Sequence, residues 1–208
     1  MYLTQATDEQ LIADHLKGDT EAFSVLVGRY EKELYHYLVN FTGQPSVAEE
    51  AFQEAFLQVH LVADRFEQSR KFRPWLYTIA VNKARDILRA RGRRPSMQIT
   101  AVDDDSSEGE LWAHLLREEE TPETLFDQKL VAQQVQEAIA QMPSNLKEIL
   151  LLAYFKQIAY KEIAEVIGVP LGTVKSRLHA AVKSFSKLYN ELLEKEADGL
   201  GGSEAVGA

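Results

Sequence analysis

The sequence predicts an all-α fold of two small helical domains joined by a flexible acidic linker, with a helix-turn-helix in the C-terminal domain. Apolar residues recur at helical spacing along most of the 208 residues, whereas the alternating pattern of strands is scarce. Basic and acidic residues occupy separate stretches, and these stretches divide the chain. We therefore expect an N-terminal domain over 1–94, a linker over 95–122, a C-terminal domain over 123–196 and a disordered tail over 197–208.

The N-terminal domain is expected to contain four helices. Each has apolar residues that recur on one side, as Phe23, Leu26, Val27 and Tyr30 do at i, i+3, i+4 and i+7 in the second, and Gly or Pro residues separate one helix from the next. The expected segments are 8–17, 20–42, a third that begins at Pro45–Ser46, and a fourth that begins at Pro74 and ends near Arg91. A polar loop over 64–73 precedes the fourth helix.

The fourth helix and its flanks are strongly basic. Between Arg70 and Arg94 there are nine basic residues and one acid, Asp86, which gives a local charge of +8. Such a surface is expected to bind a polyanion, and the amide of Asn82 could read a base edge. Aromatic side chains next to arginines suit unstacked bases of single-stranded DNA, and Phe66 lies in the preceding loop. For Trp75 and Tyr77, packing in the core is the better interpretation.

The linker reverses the sign of the charge. Residues 101–123 contain nine acids and one arginine, a local charge of −8, so the overall charge of −9 conceals two basic surfaces. The run Asp103–Asp105 lacks the spacing and the glycine of a calcium loop. We interpret it as part of a solvated linker.

The C-terminal domain is expected to begin near Glu123, with a second helix from Pro143–Ser144 and a helix-turn-helix after it. Gly168 ends the first helix of the motif and Pro170 begins the second. In the second helix Val174, Leu178, Ala181 and Phe185 recur on one side, and no Asp or Glu occurs from 171 to 188. The opposite side carries Thr173, Lys175, Ser176, Arg177, His179 and Lys183. It suits the major groove of DNA, although an ordinary hairpin with a solvated basic face gives the same spacing.

Three segments resemble bacterial sigma factors of the extracytoplasmic-function type. The sequence 162–178 resembles their promoter-recognition helix-turn-helix. The sequence EEAFQEAFL at 49–57 is similar to the helix that docks on the clamp helices of RNA polymerase. FRPWLYTIA at 72–80, followed by Asn82, Asp86 and Arg89, resembles the segment that melts and reads the minus-ten element. The resemblance covers about 8–94 and 123–193, in the same order.

The resemblance implies contacts with core RNA polymerase, with promoter DNA both duplex and single-stranded, and with an anti-sigma factor. Polymerase would contact Glu50, Gln53, Glu54 and Phe56. The minus-ten region would contact Arg65, Phe66, Lys71, Asn82, Arg85, Asp86, Arg89, Arg93 and Arg94, with the loop 65–71 holding a flipped base. The minus-thirty-five region would contact Thr173, Lys175, Ser176, Arg177, His179 and Lys183.

The sequence departs from the family pattern at four positions. Ala180 and Val182 stand where the family has arginines, which removes two expected phosphate contacts. Ala159 replaces a serine that would cap the next helix, and loss of such a cap costs about 1 kcal/mol. Glu50 replaces an aspartate in the segment that would contact the clamp.

The sequence offers no support for an enzyme. It has no Gly-rich phosphate loop and no cysteine, and its five histidines lack metal-ligand spacing, so neither a cofactor nor a metal is expected. Without a signal pattern or a membrane-length apolar run, we expect a cytoplasmic protein with no membrane insertion. A stand-alone helix-turn-helix regulator and a helical protein-interaction module are the alternatives. Both leave the basic stretch 82–94 without a specific role.

Overall fold

The computed structural model describes residues 2–92, 122–155 and 158–201. Within these ranges every regular element is helical. The α-helices are α1 (Tyr2–Gln5), α2 (Asp8–Leu16), α3 (Thr20–Thr42), α4 (Pro45–Leu61), α5 (Phe72–Ala90), α6 (Pro122–Gln141), α7 (Ser144–Leu150), α8 (Tyr160–Ile167) and α9 (Leu171–Gly201). A 3₁₀ turn (Ala63–Arg65) follows α4, and a π turn (Leu151–Phe155) follows α7.

Residues 2–92 form the front module, which is built around α3. This helix packs against α2, α4 and α5, and its side chains Leu26, Leu34 and Leu38 are fully buried. Burial of one apolar stripe per helix supplies the main driving force, at about 25 cal/mol per Å² of apolar surface removed from water. The buried side chains of the front module belong to a hydrophobic core that continues into residues 139–181.

The starts of α2 and α3 in the front module are capped by side chains, and α3 ends at a left-handed glycine. The Thr7 side chain accepts a hydrogen bond from the Gln10 backbone N–H, and Gln10 accepts one from the Thr7 N–H in return. Asp19 caps α3 by accepting from two backbone N–H groups. Gly43 ends α3 in the left-handed conformation at φ 69°. Helices α2, α3 and α4 accordingly begin at their predicted residues.

Helix α5 begins at Phe72, two residues before the predicted start at Pro74. The Phe72 N–H donates to Glu9 Oε1 at 2.9 Å, so a carboxylate from α2 satisfies the first donor of α5. A cap from a residue so distant in the chain is invisible in the local sequence. The connection between α4 and α5 accordingly spans 62–71, two residues earlier than the predicted loop at 64–73, and it includes the 3₁₀ turn.

Two carboxylates tie α3 to its neighbours. Glu33 accepts a hydrogen bond from the Tyr77 hydroxyl at 2.6 Å and pairs with Arg73 of α5. Asp8 of α2 accepts from the Tyr30 hydroxyl at 2.5 Å. Burial, reinforced by Glu33, holds the pKa of Tyr77 well above its ordinary value, so the phenol stays a donor. Tyr77 therefore lies in the core, as predicted.

Residues 122–155 and 158–201 form the rear module. Its core contains Ile139, Ile149, Ile163 and Val174, one from each of its four α-helices. Gly168 ends α8 in the left-handed conformation, with φ 69°, and the following N–H of Val169 donates to the Ala164 carbonyl. This confirms the predicted turn between α8 and α9.

The outer limits of the rear module differ slightly from prediction. Helix α6 begins at Pro122, next to the expected boundary, while α9 continues to Gly201, past the expected end at residue 196. The expected tail 197–208 thus begins inside a helix. The predicted linker lies outside the described residues except for Pro122.

The two modules lie against each other. Helix α5 of the front module packs along α8 of the rear module, and α3 contacts α6 and α7. Three ion pairs cross this seam, formed by Arg70, Lys71 and Arg85 with acids of the rear module. The domains that the sequence predicts as separate bodies thus pack against each other, a feature that only the structure provides.

Changing Tyr77 to Phe is expected to destabilise the front module. The substitution removes the hydroxyl that donates to Glu33, and a hydrogen bond to a charged group contributes about 1.5–3 kcal/mol. Urea unfolding followed by circular dichroism measures the loss. Tyr35→Phe is the matched control, since it removes the same hydroxyl from a side chain that is half-buried, whereas Tyr77 is fully buried. Equal loss in the two variants would contradict the role given to the Tyr77 hydroxyl.

Changing Ala159 to Ser is expected to stabilise the rear module by about 1 kcal/mol, the usual value of a serine N-cap. Ala159 has the extended conformation of a capping residue (φ −63°, ψ 143°) but no side-chain acceptor. Its N–H already donates to Glu162 Oε2 at 3.3 Å, so a serine would complete the reciprocal box.

Thermal unfolding is the measurement for this gain. Ala180→Ser, an exposed position within α9, serves as a control that adds the same hydroxyl away from a helix start. A gain of stability at Ala180 but none at Ala159 would refute the capping explanation.

Candidate nucleic-acid interface

Helix α9 separates its buried and exposed residues as the sequence predicted. Val174, Leu178 and Ala181 are buried against α6, α7 and α8. Lys175, Ser176, His179 and Lys183 are exposed, and Thr173 and Arg177 are half-buried. All six predicted contact residues of this helix thus lie outside its buried stripe.

The first turn of α9 is suited to an anion. It contains no acid, and the positive end of the helix dipole and unpaired backbone N–H groups favour negative charge there. The Pro170 carbonyl accepts the N–H groups of Thr173 and Val174 at 2.8 and 3.1 Å, which fixes the turn that enters the helix. A Cβ on Gly172 would meet nothing within 4 Å, so this end of the helix is open to an approaching backbone.

The predicted minus-ten residues of α5 form a second polar surface. Asn82, Asp86 and Arg89 are exposed, and Arg89 pairs with Asp86 at 2.9 Å. Asn82 Oδ1 lies 3.4 Å from Arg85 Nη1, which leaves the amide NH₂ of Asn82 free to donate. Arg93 and Arg94 lie outside the described residues.

Several predicted cations of this surface contact the rear module. Arg85 pairs with Glu148 of α7, and Lys71 Nζ lies 2.9 Å from Glu162 Oε1 of α8. Arg65 is exposed at the end of the 3₁₀ turn. Of these three cations, only Arg65 is without an ion pair to the rear module.

Two predicted contact residues are buried and cannot present their rings to a partner in this structure. Phe66 is 6% exposed, with its ring centroid 5.8 Å from that of Phe72 and 5.0 Å from that of Trp75. Phe56 is 5% exposed and packs on Phe23 and Phe52. Each ring completes an aromatic cluster of the front module in this arrangement, and its contact with DNA or polymerase stays a prediction.

The remaining predicted polymerase contacts lie on the outer side of α4. Gln53 is exposed, while Glu50 pairs with Arg91 and Glu54 with Lys83 of α5. Beside them, Leu57 and Leu61 are 52% and 64% exposed. Sequence reasoning missed these two leucines. The sequence pattern that could have identified them is a pair of leucines at i and i+4 that lie outside the buried stripe of α4.

Glu148 is a second residue that sequence reasoning missed. It is 5% exposed, and Arg85 Nη2 lies 2.8 and 2.6 Å from its two oxygens. Burial raises the pKa of Glu148, while Arg85 and, at longer range, Arg177 oppose that rise. No local pattern could have identified it, because Arg85 is supplied by the front module.

The described residues contain neither a metal centre with three or more protein ligands nor a membrane-spanning segment. Among them, no three His, Cys, Asp or Glu side chains gather as metal ligands. His15 Nε2 and His60 Nδ1 are 3.1 Å apart, and burial, followed by His60, lowers the pKa of His15. None of the helices described is long and apolar enough to cross a membrane.

Two family models match the chain in the order of its modules. Sigma-70 region 2 matches residues 26–94, and sigma-70 region 4 matches residues 132–185. The RNA polymerase sigma-H factor of Pseudomonas aeruginosa is 35% identical over 194 residues, which cover 93% of this chain and 99% of that protein. The ECF RNA polymerase sigma-E factor of Escherichia coli is 32% identical over 192 residues, covering 92% and 98%.

Solved structures share the fold. CnrH in complex with the cytosolic domain of CnrY has a TM-score of 0.63 at 22% identity, covering 88% of this chain and 97% of that one. The sigma factor RpoE of Bartonella quintana, in complex with the anti-sigma factor NepR, has a TM-score of 0.56 at 19% identity, covering 76% and 89%.

The region 2 match includes the polar surface of α5, and the region 4 match includes that of α9. The similarity to the two curated relatives runs through more than nine tenths of the chain. The chain belongs to the extracytoplasmic-function sigma factors of the sigma-70 family.

Proposed function

We propose that this chain directs core RNA polymerase to promoters by contacting two DNA elements, α9 reading the upstream one and α5 opening the downstream one. The observation that supports this most strongly is the acid-free outer face of α9. No Asp or Glu interrupts the sequence from 171 to 188, so this face is basic throughout and suits a polyanion such as DNA. Working on promoters with polymerase, the protein would act in the cytoplasm.

The upstream contact uses α9 as a major-groove helix. Arg177 and Ser176 are placed to reach base edges, while Lys175 and Lys183 neutralise phosphates. Ser176 Oγ donates to the Thr173 carbonyl at 3.1 Å, so its oxygen remains available as an acceptor. With Ala180 and Val182 exposed instead of arginines, fewer phosphate contacts are formed than in the family pattern.

The downstream contact uses the exposed side of α5. Asn82 and Arg89 offer amide and guanidinium donors to bases, and the loop before α5 offers Arg65 and Lys71. Captured bases contribute about 1–3 kcal/mol each, which offsets the cost of unstacking. Strand separation therefore requires binding energy alone and no chemical step by this chain.

Docking on polymerase uses the outer side of α4. Exposed Leu57 and Leu61 provide an apolar centre, and Gln53, Glu50 and Glu54 provide a polar rim. Apolar anchors surrounded by polar residues are the usual anatomy of a protein interface. The ion pairs of Glu50 and Glu54 with α5 place this rim beside the downstream DNA contact.

An anti-sigma factor is the second protein partner that we propose. Two solved structures that share the fold are complexes, one of CnrH with the cytosolic domain of CnrY and one of the sigma factor RpoE with the anti-sigma factor NepR. A regulator of this type would bind surfaces that DNA or polymerase otherwise contacts.

Purified chain added to core polymerase is expected to start transcription at a defined set of promoters. Genomic fragments are transcribed in vitro and the 5′ ends of the transcripts are sequenced. The ends should share two upstream sequence elements at a fixed spacing. The chain alone should bind duplex DNA only with dissociation constants of about 10⁻⁴–10⁻⁶ M at physiological salt, the non-specific range. Tight sequence-specific duplex binding without polymerase would instead indicate a stand-alone regulator.

Arg177→Ala is expected to weaken binding of the holoenzyme to the upstream element. One good base contact contributes about 1–3 kcal/mol, so initiation at promoters that depend on this element should fall roughly 5- to 150-fold. Lys187→Ala is the control, because Lys187 lies on the same helix but pairs with Glu191 at 3.6 Å. Unchanged initiation by the Arg177 variant would contradict the role assigned to this residue.

A further inference from the structure

Two histidines from different helices meet at one end of the front module. His15 lies in the last turn of α2 and His60 in the last turn of α4, 45 positions apart in the chain. The His15 Nε2 atom lies 3.1 Å from His60 Nδ1, and the centroids of the two rings are 5.1 Å apart. The proposed contacts with DNA and polymerase use neither ring. The function of this chain as a sigma factor therefore does not explain why the two imidazoles are brought together.

Phe23 of α3 supports both imidazole rings. The His15 ring stacks on Phe23 with centroids 4.5 Å apart, and the His60 ring meets the same phenyl ring nearly at right angles, at 5.6 Å. His15 is half-buried, whereas His60 is exposed. The pair thus has an apolar support that orients the rings, and solvent can reach it from the side of His60.

The spacing of the two facing nitrogens suits a shared metal ion. Zinc–nitrogen bonds of about 2.0–2.1 Å at tetrahedral angles place two imidazole nitrogens roughly 3.3 Å apart. The observed separation of 3.1 Å is close to that value. A small rotation of the exposed His60 ring would therefore let both nitrogens direct their lone pairs at one ion.

The chemistry of the two ligands restricts the kind of ion. Imidazole suits zinc, copper and nickel, and it binds them as the neutral ring. Both facing nitrogens must then lack a proton, so each ring carries its proton on the other nitrogen. For His15 that nitrogen is Nδ1, which is buried and makes no hydrogen bond among the described residues. The backbone of Asp19 interacts with this ring and could orient it, as outer partners do for metal-binding histidines.

Charged groups around the pair do not exclude a cation. Lys17 of the same corner is paired with Asp14 at 2.9 Å. Asp64 is an exposed acid in the 3₁₀ turn, and this turn contacts α2. Within the described ranges, no third His, Cys, Asp or Glu completes a set of ligands with the pair. Water would fill the remaining positions of the ion, which makes the site open and its occupancy reversible.

We propose that His15 and His60 form a two-histidine binding site for a divalent transition-metal ion of the zinc type. The ion would replace the direct contact between the rings and join the last turns of α2 and α4. No spacing in the sequence indicates such a site, because its two ligands come from separate helices. The proposal does not depend on the proposed function, since its ligands and its tests involve neither DNA nor polymerase.

Imidazole nitrogen NMR of the full chain shows where Zn²⁺ binds. On titration with Zn²⁺, the signals of His15 Nε2 and His60 Nδ1 should shift, with the protons on His15 Nδ1 and His60 Nε2. His36, half-buried on α3, is the internal reference and should not respond. Mg²⁺ should have no effect, because it prefers oxygen ligands. Signals of His15 and His60 that shift no more than those of His36 would overturn the proposal.

Calorimetry measures the affinity of the same protein for Zn²⁺. Two ligands are half the set of a structural zinc site, so the dissociation constant should be about 10⁻⁴–10⁻⁶ M. His60→Gln should weaken Zn²⁺ binding at this site at least tenfold, and so should His15→Gln. His36→Gln is the matched control and should bind Zn²⁺ like the unchanged chain. Equal affinity and stoichiometry in all four proteins would place the bound Zn²⁺ elsewhere and refute the site.

Thermal unfolding separates loss of the metal site from loss of the fold. His60 is exposed, so His60→Gln should keep the circular dichroism of the unchanged chain. Zn²⁺ at about a hundred times its dissociation constant should favour the folded state about a hundredfold, which raises the melting temperature. This rise should be absent in His60→Gln and present in His36→Gln. The same rise in folded His60→Gln would contradict the role of His60 as a ligand.

Discussion

Burial of one apolar stripe on each helix is the constraint on which the polar surfaces depend. In α9, Val174, Leu178 and Ala181 are held against three other helices of the rear module. Once that side is fixed, the rotation of the helix leaves Lys175, Ser176 and His179 outward. The same reasoning applies to α5, where buried Leu76, Ala80 and Ala84 leave Asn82 and Arg89 in solvent. Packing energy thus orients the residues that we propose contact DNA.

The charge on the exposed sides of α5 and α9 determines whether they can attract DNA. A chain with an overall charge of −9 attracts DNA only if its cations are concentrated, and here they are concentrated on α5 and on α9. Acids brought close to these cations in space cancel part of that attraction. Glu148, Glu162 and Glu165 do so for the front module. The arrangement of the charges, and not the net charge alone, therefore determines where this protein can attract DNA.

A small number of polar contacts between residues distant in the chain fix how the helices of the front module pack. Glu9 caps α5 from another helix, and Glu33 joins α3 to both Tyr77 and Arg73. These contacts hold α5, the helix that would contact DNA, against α2 and α3. Mechanical coupling of the two surfaces follows, because α4 and α5 also pair directly through Glu50 with Arg91 and Glu54 with Lys83.

The sequence by itself determined the helical class, most helix boundaries, the turn at Gly168 and the outward residues of α9. Local rules sufficed there, since periodicity, capping and a left-handed glycine act within a few residues. Tertiary structure alone decided that Phe56 and Phe66 are buried, that α5 begins at Phe72, and that Arg85 meets Glu148. Each of these outcomes depends on atoms brought together from distant parts of the chain, and a local pattern contains no information about such neighbours.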